Sequence, residues 1–244
     1  MKILAIDTSA VSGSCALLED DMPIAVCQLN CGLKHSETMQ PMIMQMLEFA
    51  GIVPAGIDLY AVSNGPGSFT GVRIGVSLIK GMAFQTGKPC IPVSTLEALA
   101  LQCCGLQHAD LIVPVMDARR GQVYTALFTQ THEGLKRLTQ DSAISVKELS
   151  DRIVRQGTAP LFVGEGWKVA GEQCGLETFY CAPKPYLLQN AVFVGLTALR
   201  IYSDTKDPSV WTDRALAPSY LRPSQAERER SAKTAQSAEA IGGK

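Results

Sequence analysis

The stretch 63–100, SNGPGSFTGVRIGVSLIKGMAFQTGKPCIPVSTLEALA, runs from a strand end through a glycine loop into a helix, then into a second strand and helix. The apolar run 59–62 supplies the strand that ends in Ser63-Asn64. Gly65-Pro66-Gly67 is a turn that needs unusual backbone angles. Ser68 or Thr70 can cap the helix that starts near Gly71. Val72, Val76, Ile79 and Ala83 form one apolar face of that helix. Gly71, Gly75, Leu78 and Met82 form another, with its first turns bare of side chains. Each glycine costs a helix about 1 kcal/mol against alanine. The pair makes sense where another backbone or helix comes close, either inside the same lobe or on a partner. Arg73 lies early in the helix and can reach an anion near its N-terminus, or stand as a solvated surface arginine. A strand over 90–93 and a helix over 95–103 complete the segment, which places the chain in the α/β class.

Upstream, KILAID (2–7) is an apolar strand ending at Asp7. Thr8, Ser9 and Ser12-Gly13-Ser14 make a small-residue turn into strands over 15–19 and 24–29, a β-meander. An acidic residue followed by hydroxyls is similar to the first phosphate loop of the actin/hexokinase nucleotide-binding fold. Asp7, Thr8 and Ser9, with Arg73, are therefore candidate contacts of a degenerate phosphate site. Downstream, a buried strand over 111–117 ends at Asp117. The turn Ala118-Arg119-Arg120-Gly121 leads to an alternating strand over 122–129. A strand over 160–163 runs into Gly164-Glu165-Gly166, and a helix spans 191–202. The order is β-rich, then αβ, then β-rich again, with a hairpin after an Asp-bearing strand in each half. The expected architecture is α/β, a two-lobed actin-like/ASKHA (ribonuclease H-like) fold that is catalytically degenerate. Residues 1–103, completed by the helix near 191–202, form the N-terminal lobe, and 104–222 the C-terminal lobe. Residues 225–244 hold almost no large apolar side chain, too little to offset ordering entropy, so a disordered tail is expected there.

Between the meander and the glycine loop, Met39, Met42, Ile43, Met46, Leu47 and Ala50 mark an amphipathic helix after His35-Ser36. Ser36 or Thr38 can cap it, and with Thr38 as cap Pro41 falls in the first turn, where a missing N–H costs little. Gly51 is placed to end it. Met44 and Phe49 lie off the stripe, so the helix is apolar on two sides, and one side is expected to meet another chain. Four methionines in eight residues give that helix a soft, adaptable surface.

The chain has 244 residues, 46% of them hydrophobic, with a formal net charge of -1, which leaves no general electrostatic footprint for nucleic acid. Eight cysteines form no CxxC pair, and with no secretory signal they read as reduced, mostly buried thiols of a cytoplasmic protein. No apolar run is long enough to span a bilayer.

AIDTS (5–9), HSETMQP (35–41), VSNGPGSFTGVRIG (62–75), VSTLEALA (93–100), MDARRGQVY (116–124) and PSYLR (218–222) together resemble the bacterial TsaB (YeaZ) family over about residues 1–222. The resemblance implies an essential partner subunit of TsaD, the transferase that places a threonylcarbamoyl group on N6 of adenosine 37 in tRNAs reading ANN codons. It implies recruitment of the ATPase subunit TsaE, with ADP or ATP near the TsaD interface, no tightly bound cofactor, and tRNA met only through the complex. Alone, such a chain pairs with itself. In TsaD a similar glycine segment precedes two metal-binding histidines four apart on a helix. Aligned here, those positions are Thr95 and Leu99, which cannot replace two imidazoles. The only histidines, His35, His108 and His132, are scattered. No catalytic residue and no metal ligand is therefore expected. The partner interface is expected on the first two helices, at His35, Ser36, Met39, Met42, Ile43, Met46, Gly71, Gly75, Leu78 and Met82.

A stand-alone actin-like ATPase or kinase using Asp7 and Asp117 is the competing reading. A metallopeptidase lacks the histidine pair. A serine hydrolase elbow fails because Pro66 and Thr70 flank Ser68 where glycines are needed. RNA binding without TsaD finds no basic cluster beyond Arg119-Arg120.

Overall fold

The computed structural model describes residues 1–32 and 34–222, so the tail expected over 225–244 lies outside the described residues. Strand β1 (Lys2–Asp7) is apolar from Ile3 to Ile6 because both its faces are covered. Leu4 and Ile6 face one helical layer, Ile3 and Ala5 another. The strand pairs antiparallel with β2 (Gly13–Glu19), and β2 pairs antiparallel with β3 (Met22–Leu29). On its other side lie β4 (Leu59–Gly65) and β5 (Cys90–Ser94), both parallel, giving the order β3-β2-β1-β4-β5. Helices α1 (His35–Phe49) and α2 (Phe69–Thr86) cover the Leu4/Ile6 face. The C-terminal helix Ala191–Asp204 covers the Ile3/Ala5 face through Ala191, Val194 and Ala198.

After α3 (Thr95–Leu101) comes a second sheet, built from β6 (Ile112–Asp117), β7 (Gln122–Thr125), β8 (Phe128–Thr131), β9 (Gly134–Arg137), β10 (Ser142–Ser145), β11 (Leu161–Val163) and β12 (Tyr180–Cys181). Its main path, β10-β7-β6-β11-β12, repeats the first sheet: two antiparallel neighbours on one side of β6 and two parallel strands on the other. This is the two-lobed actin-like architecture. Helices α4 (Val146–Val154) and α5 (Trp167–Gln173) cover one face. Leu96 and Leu99 of α3 pack on the other, while Ala98 of the same helix packs with the first lobe, so α3 is shared by both cores.

Two expectations change. The single strand over 122–129 divides, because Ala126 and Leu127 leave the ladder. Leu127 N–H instead donates to Thr139 Oγ1 at 2.8 Å, and β8 restarts opposite Ile112 with β9 on its far side. Helix α1 starts earlier than a Thr38 cap allows: its cap residue is Lys34, without a side-chain bond, and Thr38 Oγ1 donates back to Lys34 O at 3.1 Å. Pro41 therefore sits inside the helix. Burial of Met39, Met42, Ile43, Met46 and Leu47 outweighs the missing hydrogen bond.

The lobes are tied by charge as well as by α3. Arg137 of β9 reaches Glu97 of α3 at 2.6 Å and Asp141 at 2.5 Å, with its guanidinium 4.6 Å from the Phe128 ring. Arg200 also pairs with Glu97, and Ser94 Oγ donates to Asp141 at 2.5 Å. All eight cysteines are free thiols, and burial pushes Cys15, Cys90 and Cys103 up to about 12.

Candidate functional site

The ends of β1 and β4 in one lobe, and of β6 and β11 in the other, open on a cleft of about 640 Å³. Its first wall is the turn after β1. Asp7 is fully buried; its Oδ1 accepts from Ser9 N–H at 2.8 Å and Ser9 Oγ at 2.7 Å, and its Oδ2 from Ser63 Oγ. Burial raises its pKa, and the hydroxyl donors only partly offset that. Thr8 Oγ1 donates to Gly71 O at 2.7 Å. Asp7 and Thr8 are thus spent inside the lobe, which corrects their assignment as phosphate contacts. Ser9 alone of the three lines the cleft. The glycine loop comes close because it lacks side chains: Ser68 N–H donates to Ser9 O at 2.7 Å, and a Cβ on Gly67 would overlap Ser9. Ser68 caps α2 by accepting from Gly71 N–H at 3.2 Å.

The second wall repeats the first with different chemistry. Asp117 Oδ1 accepts from Arg119 N–H at 2.7 Å, the same two-residue reach as Asp7 to Ser9, but the carboxylate is exposed and lies 3.4 Å from the Arg119 guanidinium. Glu165, between the two glycines after β11, also lines the cleft. Desolvation there, with Asp117 nearby, raises its pKa. A strap over 216–222 closes one side. Ser219 N–H donates to Asn64 O at 2.7 Å, and Arg222 Nη1 to Ala118 O at 2.8 Å. Tyr220 stacks on Phe69 with centroids 4.6 Å apart. Arg73 lies 3.9 Å from the Phe69 ring and donates Nε–H to Tyr220 Oη at 2.7 Å. Arg73 is therefore held between the Phe69 ring, which opens α2, and the Tyr220 hydroxyl of the strap.

The expected interface divides. Met39, Met42, Ile43 and Met46 are core residues of the first lobe, at most 8% exposed. Gly71 and Gly75 face Thr8, where a Cβ on either would overlap it. These six are unavailable to a partner, because the stripe that the periodicity marks is the one the sheet covers. Leu78 and Met82 are half-buried and Ser36 is exposed. His35 is half-buried and holds the loop after β1 through Nε2 to Ala10 O at 2.8 Å. The outward apolar residues are Met44, Phe49 and Phe84, and the last two are 81% and 76% exposed.

Thr95 and Leu99 are buried in α3. Leu99 packs in the second core against the strand end at Gly164, and Thr95 Oγ1 has no hydrogen-bond partner. Among the described residues no three His, Cys, Asp or Glu side chains are grouped to hold a metal ion. Sequence reasoning missed Phe69, Glu165, Tyr220 and Arg222 as cleft residues. The only signal for the last two was the PSYLR motif.

A family model described as "TsaD: tRNA N6-adenosine threonylcarbamoyltransferase" matches residues 30–229. The tRNA threonylcarbamoyladenosine biosynthesis protein TsaB of Bacillus subtilis is 37% identical over 67% of this chain and 71% of its own length. Its Escherichia coli counterpart is 33% identical over 72% and 78%. The solved YeaZ structure from Pseudomonas aeruginosa superposes with a TM-score of 0.77 at 24% identity, covering 90% of this chain and 99% of that one, which shows the fold. The chain belongs to the TsaB (YeaZ) family.

Proposed function

We propose that the chain is the non-catalytic partner of a TsaD-type transferase in the cytoplasmic complex that forms threonylcarbamoyladenosine at position 37 of tRNA. One observation carries the reading: the two-lobed fold is intact while the positions aligned with the metal-binding histidines are Thr95 and Leu99, both committed to the core. The sealed Asp7 supports it. Pairing is proposed over the outer sides of α1 and α2, at Met44, Phe49, Leu78, Met82 and Phe84, where apolar surface lacks cover. Alone, the chain would use the same surface to pair with itself. TsaE, with ADP or ATP, would join at the heterodimer, and tRNA would be met through the complex.

The test is reconstitution of tRNA modification with the other subunits, with and without this chain. Modification should require it, and the chain should be inert without the transferase. Phe49→Asp with Phe84→Asp should abolish pairing and modification and leave the chain folded, with its circular dichroism spectrum unchanged. Modification that proceeds equally without the chain, or ATP hydrolysis by the chain alone at a meaningful rate, would overturn the reading.

A further inference from the structure

Three arginines line the cleft of a chain whose net charge is -1, Arg119 and Arg120 from the turn between β6 and β7 and Arg222 from the strap, and a fourth, Arg73 of α2, adjoins it through its bond to the lining Tyr220. They come from three remote segments. The Phe69–Tyr220 stack lies among them, with Tyr220 42% exposed. The turn is the informative part. Arg119 and Arg120 have φ of 64° and 57°, and Gly121 follows at 69°. Gln122 N–H donates to Arg119 O at 3.2 Å, which makes Arg120 and Gly121 the centre of a tight turn in which Asn-Gly is the favoured pair, with Arg119 a third left-handed residue before it. Arginine is strained at both positions. Arg119 is 87% exposed and packs nothing, so neither burial nor the exposed pair with Asp117 explains the choice. The carboxylates facing this group are Asp117 and Glu165. Asp117 is engaged by Arg119, which leaves Arg120 with no ion pair among the described residues.

We propose that this rim is an RNA-docking surface, with the Arg119–Arg120 turn, Arg73 and Arg222 holding phosphates of a single-stranded tRNA segment and the Phe69–Tyr220 stack receiving a base. Cationic groups interleaved with a ring stack whose outer member, Tyr220, is exposed match single-stranded RNA, since phosphates supply the charge and every base has a face to stack. The proposal rests on the partner-subunit reading: the segment is a loop of the tRNA brought by the complex.

The experiment uses the reconstituted complex and an unmodified RNA hairpin carrying the anticodon stem and loop. Arg119→Gly with Arg120→Asn puts the favoured Asn-Gly pair at the centre of the turn, ahead of the existing Gly121, and removes both charges. It should raise the chain's melting temperature by about 2–4 °C, because strain is relieved. In the complex it should raise KM for RNA about tenfold with kcat within twofold, and reduce the log–log salt slope of binding by about 1 to 2. Arg119→Lys with Arg120→Lys keeps the charge and should recover most of the affinity without the added stability. A KM and salt slope unchanged by the Asn-Gly variant, in a complex that still needs the chain, would overturn the docking surface and leave the partner-subunit reading intact. Loss of ATP affinity with RNA affinity unchanged would assign the rim to a nucleotide and equally overturn it.

Discussion

Helix α2 contains two glycines whose replacement by alanine should move stability in opposite directions. At Gly71 an added Cβ would fall inside the van der Waals radius of the Thr8 carbonyl oxygen, a backbone atom of the turn directly after β1 that cannot rotate away. Helix and strand must separate, which overpacks the core at about 1–3 kcal/mol. The Thr8 Oγ1 bond to Gly71 O is strained or lost, at about 1 kcal/mol. Alanine returns about 1 kcal/mol of helix propensity. The net for Gly71→Ala is a loss of about 2 kcal/mol. At Gly81, in the same helix, an added Cβ meets nothing within 4 Å, so Gly81→Ala should gain close to the full propensity term, about 1 kcal/mol. Urea unfolding of the isolated chain measures both, with the slope checked for constancy. If Gly71→Ala stabilises, or both substitutions shift the midpoint the same way, the inward packing of the α2 glycines is wrong. The position would then face a partner.

Met42→Glu or Met46→Glu, natural choices for an interface test, should unfold the first lobe and not merely break pairing, because both side chains are buried; circular dichroism of the isolated chain checks this. Asp7→Asn removes a buried carboxylate whose folded pKa is raised. The native state then binds more protons than the unfolded chain above the ordinary carboxylate value, so wild-type stability falls as pH rises through that window. The advantage of Asp7→Asn over wild type should therefore grow from about pH 4 upward, and stability curves that stay parallel would contradict the account. Glu97→Ala strips Arg137 and Arg200 of a shared partner and should cost about 2 kcal/mol. It should also loosen the two lobes, seen as faster hydrogen exchange in α3 and β9.

Much of the scaffold was legible because its signals are short-range. The meander follows from three apolar runs joined by tight turns, the Ser68 cap from a hydroxyl three residues before an orphan amide, and the end of α1 from Gly51 at φ 67°. Helix α4 was equally readable, since Ser145 caps Glu148 and Val146, Leu149 and Ile153 are buried at helical spacing. Its neighbours, strands of four residues or fewer, carry too short an apolar pattern to frame it in the sequence. The site was legible in composition but not in arrangement. Periodicity marked both sides of α1 as apolar and could not say which side the sheet would take.

The sequence alone determined the local backbone: where strands end and where glycine is obligatory. Caps, turns and propensities act over three or four residues, so their causes lie side by side in the chain. Only the tertiary structure decided which polar groups remain free. Asp7 is sealed by Ser63, 56 residues away, and Arg73 is held by Tyr220, 147 residues away. The arginine rim likewise exists only once the strap has crossed to Ala118. A side chain's chemistry is set by its burial and by its partner, and both are chosen by long-range packing that no local pattern encodes.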